Sequence, residues 1–499
     1  MISLEIRIAR RLCASSSIVR LPPKRSFSSL PPISSTSSSS STAPCSEKPR
    51  PLIALGIETS CDDTCAAVVT SDRRILSEVL RTQHHLHEPM GGIVPKLAHH
   101  AHMRNLPAVV QEAIQKADLG ERGIQAIDLI AVTRGPGLAH SLGVGLNAAK
   151  TLAAALNKPL IGVHHMEAHA LTARLTSQDP HLLTDQSSDN KVAAAAEPSS
   201  APSHWTRADH NKRLAGSDPY PAFPFLTLLV SGGHTMLLIA HSVDRYTTLA
   251  TTVDDSIGDA FDKSARELQI PWLAGRAGGP GASLEEFAKG SKNPERYLDQ
   301  LPIPMSLRNN KREMKFSFAG LKAAVTRIVK QETQEAELAG AARGLHPNEI
   351  EFMDIERRRD LAAGFQHCAV THLGQKVAQG LEHCREQGLD ISSLVISGGV
   401  GRNATVRSTM EQVCAAPMRQ EKKSSHQQKQ KQKQQQQQPT LPKKVIQVIC
   451  PPPKLCTDNA VMIAWTGIER FQLGLVDPYD IDIVPKWPLD MLGTGVVPE

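Results

Sequence analysis

The chain of 499 residues carries 56 Lys and Arg against 50 Asp and Glu, a net charge of +6 that invites a nucleic-acid reading. The excess is local, because residues 1–50 hold eight basic and two acidic side chains, residues 416–444 eight and one, and the rest 40 against 47. Bulk charge is thus no evidence for nucleic-acid binding, and nine scattered cysteines without a paired C-x-x-C, with no apolar run near the ~18 residues of a membrane span, exclude disulfide-stapled and membrane-inserted classes.

In chain order, residues 1–50 read as a presequence and linker. Arg7, Arg10, Arg11, Arg20, Lys24 and Arg25 are spread through Ser-rich sequence, and Ile2, Leu4, Ile6, Ile8 and Leu12 allow an amphipathic helix. This composition predicts import into the mitochondrial matrix, with a chloroplast peptide as the competitor. An apolar run Leu52–Ile57, a polar turn Glu58–Thr64 and a second run Ala66–Val69 predict a hairpin, followed by a helix over Asn147–Leu156. Residues 51–175 form a first lobe on this reading, and 176–220 a low-complexity insertion of Ser, Asp, Ala and Pro.

The hairpin recurs at Phe225–Val230 and Met236–Ala240 around the turn Ser231–Thr235. Helical patterns follow at Asp259–Leu268 and Leu361–Gln387, then a strand at Leu394–Ser397 and a Gly-rich turn. Residues 221–450 make a second lobe interrupted by a Lys/Gln-rich insertion at 416–444, and 451–499 return to the first lobe. Alternating elements predict an α/β protein. The doubled hairpin predicts duplicated lobes, as in the two-lobed actin/sugar-kinase/Hsp70-like ATPase fold with a central nucleotide cleft.

Three small-residue turns could admit phosphate oxygens: Thr133–Gly137, Ser231–His234 and Ser397–Val400. Arg134 beside the first offers either a phosphate contact or a surface ion pair. His165 and His169, at i and i+4, share one face if their segment is helical, which makes half of a metal site. A zincin peptidase needs Glu directly after the first His; Met166 stands there, and Glu167 projects elsewhere. Asp458 precedes an apolar helical run and reads as a distant ligand or as an N-cap. His84, His85, His87, His99, His100 and His102 lack ligand spacing and read as surface or cleft lining. Asp262 opens a helix and could accept ribose hydroxyls. Lys315–Lys322 interleaves bases with Phe316 and Phe318, which we assign to the core.

Taken together, Gly56–Thr64, Gly91–Pro95, Arg134–Gly137, Lys150, His165, His169, Leu229–Thr235, Gly258–Lys263, Lys315–Lys322, Ser397–Asn403 and Asp458–Asn459 resemble the tRNA N6-adenosine threonylcarbamoyltransferase family, formerly called O-sialoglycoprotein endopeptidases. With the presequence, the chain is most similar to the mitochondrial branch. The resemblance implies transfer of a threonylcarbamoyl group from threonylcarbamoyl-AMP to N6 of the adenosine just 3′ of the anticodon, in tRNAs reading codons that begin with adenine. It implies one divalent metal ion per subunit, iron or zinc, on His165, His169 and Asp458. It also implies an adenylate site of Leu229, Val230, Ser231, Gly232, Gly233, Asp262, Gly279, Glu285 and Asn403, and a homodimer. No catalytic base is assigned.

Lys96 stands where the family has Glu, Ala170 where it has a larger aliphatic, and Trp272–Gly279 and Gly281-Ala282 carry extra residues. Arg308, Lys311, Arg312, Lys315 and Lys322 are the candidate tRNA surface. The alternatives at this point are a metallopeptidase and a non-catalytic nucleotide-binding scaffold.

Overall fold

The computed structural model describes residues 50–90, 92–178, 206–214, 216–271, 279–304, 313–343, 346, 352–416 and 445–494. The presequence, most of both insertions, and Arg308, Lys311 and Arg312 lie outside the described residues.

Strand β1 (Ile53–Glu58) is buried along almost its whole length and pairs antiparallel with β2 (Asp63–Thr70), which pairs with β3 (Ile75–Thr82). On its other edge β1 runs parallel to β4 (Leu129–Gly135), and β4 to β5 (Leu160–His164), giving the order β3-β2-β1-β4-β5. Continuous apolar sequence rather than alternation is what a strand covered on both faces requires. The second sheet repeats this plan. Strands β6 (Phe225–Val230), β7 (Thr235–Ala240) and β8 (Tyr246–Thr251) form the antiparallel part, while β9 (Ser393–Ser397) and β10 (Gln447–Ile449) run parallel to β6, in the order β10-β9-β6-β7-β8.

The layers follow from which faces are apolar. Helices α1 (Pro95–Lys116) and α2 (Ala139–Leu156) cover one face of the first sheet through Leu55, Ile57, Ile130 and Val132. Its other face carries small residues, Ala54, Gly56, Ala67 and Ala131, toward α3 (His165–Thr176) and α10 (Ala460–Gln472). The same central cluster includes Phe225, Leu229, Leu238 and Val395 of the second sheet, so α3 and α10 fill the layer between the sheets. Helices α5 (Ile257–Glu267), α6 (Pro280–Ala288), α7 (Ala319–Ala342), α8 (Ile355–Glu386) and α9 (Ala404–Ala415) cover the far face of the second sheet. No helix among the described residues is long and apolar enough to cross a membrane.

Within the 176–220 segment the described residues include one helix. Arg207–Leu214 forms α4 against the edge strand β3, where Asn211 accepts from the Ile75 N–H (2.8 Å) and donates to its carbonyl (2.9 Å), as a neighbouring strand would. Buried Arg73 donates to the carbonyls of Leu175 (2.7 Å) and Asp218 (2.7 Å) and so ties both ends of the segment.

Phe316 and Phe318 are fully buried, as expected, and both pack edge-on against the ring of His372 on α8. Both ring nitrogens of His372 are buried without a hydrogen-bond partner. Burial, with a smaller push from Lys376 and an opposing one from Asp254, lowers its pKa to about 4. The unfolded chain, with an ordinary pKa near ~6.5, then binds the proton first as pH falls. His372 therefore costs no stability above pH ~6.5, and costs progressively more down to pH ~4, in total about 3 kcal/mol. Urea midpoints measured between pH 7.5 and 4 should fall less steeply for His372→Leu than for the wild type; parallel curves would contradict this.

Candidate metal centre and adjoining cleft

Helix α3 starts without a break at the end of β5. His164 is its N-cap, its Nδ1 accepting from the Met166 N–H (3.1 Å), its Nε2 donating to the Trp487 carbonyl (2.9 Å), and its own N–H reaching Glu167 (3.3 Å). Burial holds His164 neutral, with a pKa of about 3. Glu167 is buried and bonded by Arg470 of α10 (3.2 Å), so it serves the helix start and turns away from the imidazole face. This geometry removes the general base that a zincin peptidase needs.

One turn of helix places the rings of His165 and His169 at right angles, 4.7 Å apart. Both Nε2 atoms face Asp458 Oδ1, at 3.3 and 3.0 Å. The helix cap behind it is Asn459, whose Oδ1 accepts from the Met462 N–H at 2.9 Å, so the N-cap reading of Asp458 is corrected and its carboxylate is free for the histidines. The three ligand atoms lie within 4.8 Å of one another, the one group of this kind among the described residues. Burial opposes charge on His165, but the carboxylates of Asp458 and Glu58 outweigh it and raise the imidazole to about 10. Burial likewise opposes the Asp458 carboxylate, and His165 overrides it, holding the group well below the usual range. A proton between imidazole and carboxylate thus stands where a cation fits. Two imidazole nitrogens and one carboxylate within this span suit zinc or ferrous iron.

The cluster stands at the carboxyl ends of the parallel strands, where the β1–β2 turn, the β5–α3 junction and the β6–β7 turn meet. At the β1–β2 turn, buried Glu58 accepts from Thr133 Oγ1 (2.5 Å) and contacts His165 Nδ1 (3.1 Å). Asp63 on the same turn is pushed up to about 8, first by burial and then by Asp62 and Asp458, and its Oδ1 is buried without a partner. His234 is lowered to about 4 by burial and by His165, which puts the β6–β7 turn beside the cluster. Glu58, Asp63 and His234 drew no individual role from the sequence; their proximity comes from strand order.

In the β6–β7 turn, Ser231 Oγ accepts from the His234 N–H (3.0 Å), and Gly232 and Gly233 are exposed with open space where side chains would be. Leu229 and Val230 are buried in the strand. The start of α5 approaches so closely that a Cβ on Gly258 would lie 2.5 Å from the Ser231 carbonyl. One turn on, Asp262 accepts from the Gly281 N–H (2.7 Å) at the start of α6, and a Cβ on Gly279 would sit 3.5 Å from that carboxylate. Glu285 accepts from the Ala404 N–H (2.9 Å), next to Asn403, which caps α9 through the Thr405 N–H (2.9 Å). Burial raises both Asp262 and Glu285. Of the adenylate candidates, Ser231, Gly232, Gly233 and Asp262 stand at the β6–β7 turn and α5, Gly279, Glu285 and Asn403 at the α6–α9 junction, and Leu229 and Val230 are buried in β6.

His87 and His102 are buried rather than surface: His102 bonds Thr64 Oγ1 (2.8 Å) and the Cys61 carbonyl (3.0 Å), which braces the β1–β2 turn against α1. Lys315 pairs with Glu313 (2.6 Å) and Lys322 with Asp255. Arg134 is held by the Asp482 carbonyl (2.7 Å) and Asp477 (3.7 Å). Lys96 is exposed in the first turn of α1, and Ala170 is buried in the layer between the sheets.

The duplicated β-β-β-α-β-α-β plan defines a two-lobed α/β protein of the actin/sugar-kinase/Hsp70-like class. Residues 74–196 and 209–465 match the family model described as TsaD: tRNA N6-adenosine threonylcarbamoyltransferase. A relative in Arabidopsis thaliana, named as a probable mitochondrial tRNA N6-adenosine threonylcarbamoyltransferase, is 36% identical over 91% of this chain and 79% of its own length. A tRNA N6-adenosine threonylcarbamoyltransferase of Chelativorans sp. is 36% identical over 87% of this chain and 94% of its own. A ROK family glucokinase from Streptomyces griseus aligns over 83% of this chain and 98% of its own, at 10% identity and a TM-score of 0.34. The chain belongs to the tRNA N6-adenosine threonylcarbamoyltransferase family and is a transferase of tRNA modification.

Proposed function

We propose that this chain moves the threonylcarbamoyl group from threonylcarbamoyl-AMP to N6 of the adenosine just 3′ of the anticodon, in mitochondrial tRNAs reading codons that begin with adenine. The carrying observation is the His165–His169–Asp458 triangle standing beside the open Ser231–Gly233 turn at one end of both sheets. A new N–C bond forms at N6, the C–O bond to the phosphate breaks, AMP leaves, and N6 loses one proton.

Small residues at Gly232 and Gly233 let backbone N–H groups approach phosphate oxygens. Asp262, Gly279, Glu285 and Asn403 line the other wall for the adenosine part, with Leu229 and Val230 setting the turn's position. His165, His169 and Asp458 would hold one divalent ion, iron or zinc. When bound, that ion would supply Lewis acidity for charge building on the acyl carbonyl and phosphate oxygens. The target base must be unstacked from the anticodon loop to enter such a cleft.

The presequence composition and the mitochondrial name of the Arabidopsis relative support a matrix location; a homodimer follows from resemblance to that branch. The test is nucleoside analysis of tRNA from cells lacking the gene. Threonylcarbamoyladenosine should vanish from mitochondrial tRNAs and persist in cytosolic ones. Persistence in the mitochondrial pool would refute the proposal.

A further inference from the structure

Both nitrogens of the His165 ring face carboxylates, Nε2 toward Asp458 (3.3 Å) and Nδ1 toward Glu58 (3.1 Å). His169 is different. Its Nε2 faces the same Asp458 oxygen, but its Nδ1 is buried without a hydrogen-bond partner. A neutral imidazole has one N–H, and binding a cation through Nε2 requires that proton on Nδ1. At His165 the Glu58 carboxylate is placed to accept it, with Ser60 Oγ as a second neighbour at 3.3 Å.

Glu58 is itself fixed. It ends β1 with 1% exposure, accepts from Thr133 Oγ1 on β4 (2.5 Å), and accepts from the Ser60 N–H. A carboxylate buried this deeply is costly unless every oxygen is engaged, and here the partners come from β4, the start of α3 and the turn.

We infer that Glu58 is a positioning residue, which fixes the tautomer and ring plane of His165 so that its Nε2 lone pair points to the space between His165, His169 and Asp458. The inference rests on the metal reading of that triangle. A carboxylate behind a ligating histidine also raises the basicity of the ligand, and its loss typically weakens metal affinity by about 10- to 100-fold. His165 is then the preset ligand and His169 the adaptable one.

The experiment measures Zn²⁺ dissociation constants by chelator competition on the full chain, together with the d–d spectrum of the Co²⁺ form. Glu58→Gln keeps the volume and an acceptor oxygen while losing the charge, and should weaken Zn²⁺ about tenfold. Glu58→Leu should weaken it about a hundredfold and alter the Co²⁺ spectrum. Thr133→Val, which removes a donor holding Glu58 but preserves shape, should weaken it several-fold and serves if Glu58→Leu does not fold. Wild-type affinity and spectrum in Glu58→Gln and Thr133→Val, with binding lost in His165→Ala and His169→Ala, would overturn the role of Glu58 and leave the metal reading intact. Wild-type affinity in both histidine variants would remove the metal reading, and this inference with it.

Discussion

Asp458→Asn should lower formation of the modified nucleoside by at least about a thousandfold, with the fold retained. The substitution is nearly isosteric and touches no cap, because Asn459 and not Asp458 closes the start of α10. It removes the oxygen charge that both imidazoles face at 3.0 and 3.3 Å, leaving two rings and an amide. Losing a cation from a site that stabilises developing oxyanion charge costs several kcal/mol of barrier, and about 4 kcal/mol is a thousandfold in rate. His169→Ala should behave alike. Single-turnover assays with unchanged urea midpoints would check both; activity within tenfold of wild type would remove the triangle from the chemistry.

The second large effect concerns stability and shows how the fold holds Asp458 in place. Gly56 lies where β1 meets α10, and a Cβ there would stand 2.3 Å from the Ala460 carbonyl and 2.6 Å from the Ala464 nitrogen. Gly467 repeats the contact from the helix side, 2.4 Å from Ala131 Cβ. Backbone atoms cannot rotate away as a side-chain tip can, so the helix must lift from the sheet. Gly56→Val should destabilise by at least about 4 kcal/mol, above the usual range for overpacking because two backbone atoms of α10 are hit at once. Since Asp458 stands immediately before α10, the same lift should weaken metal affinity in any fraction that stays folded. A urea midpoint within about 1 kcal/mol of wild type would contradict this packing.

Legibility in the sequence followed burial. Strand β6 is read with the boundaries it has, because Phe225–Val230 is buried on both faces and apolar apart from Thr227. Strand β3 is missed: as the edge strand it mixes Ile75 and Val79 with Glu78 and Arg81. Helix α1 is obscured by Pro95, an internal Pro107 and its histidines. The pairing of His165 with His169 is written in their spacing, whereas Asp458 stands 289 positions from His169 and comes from resemblance to a family. Glu58 looks like any turn carboxylate until β1, β4 and β5 lie side by side. Of the proposed basic patch only Lys315 and Lys322 are described, and their partners Glu313 and Asp255 are identified by folding and not by composition.

The most direct test of the central claim is reconstitution of the purified chain, loaded with zinc or iron, with threonylcarbamoyl-AMP and unmodified mitochondrial tRNA. The account predicts N6-threonylcarbamoyladenosine at the base just 3′ of the anticodon, with one AMP released per base modified, and loss of both products in Asp458→Asn. Tight adenylate binding without either product in the wild type, under every metal condition, would contradict it and leave a nucleotide-binding scaffold.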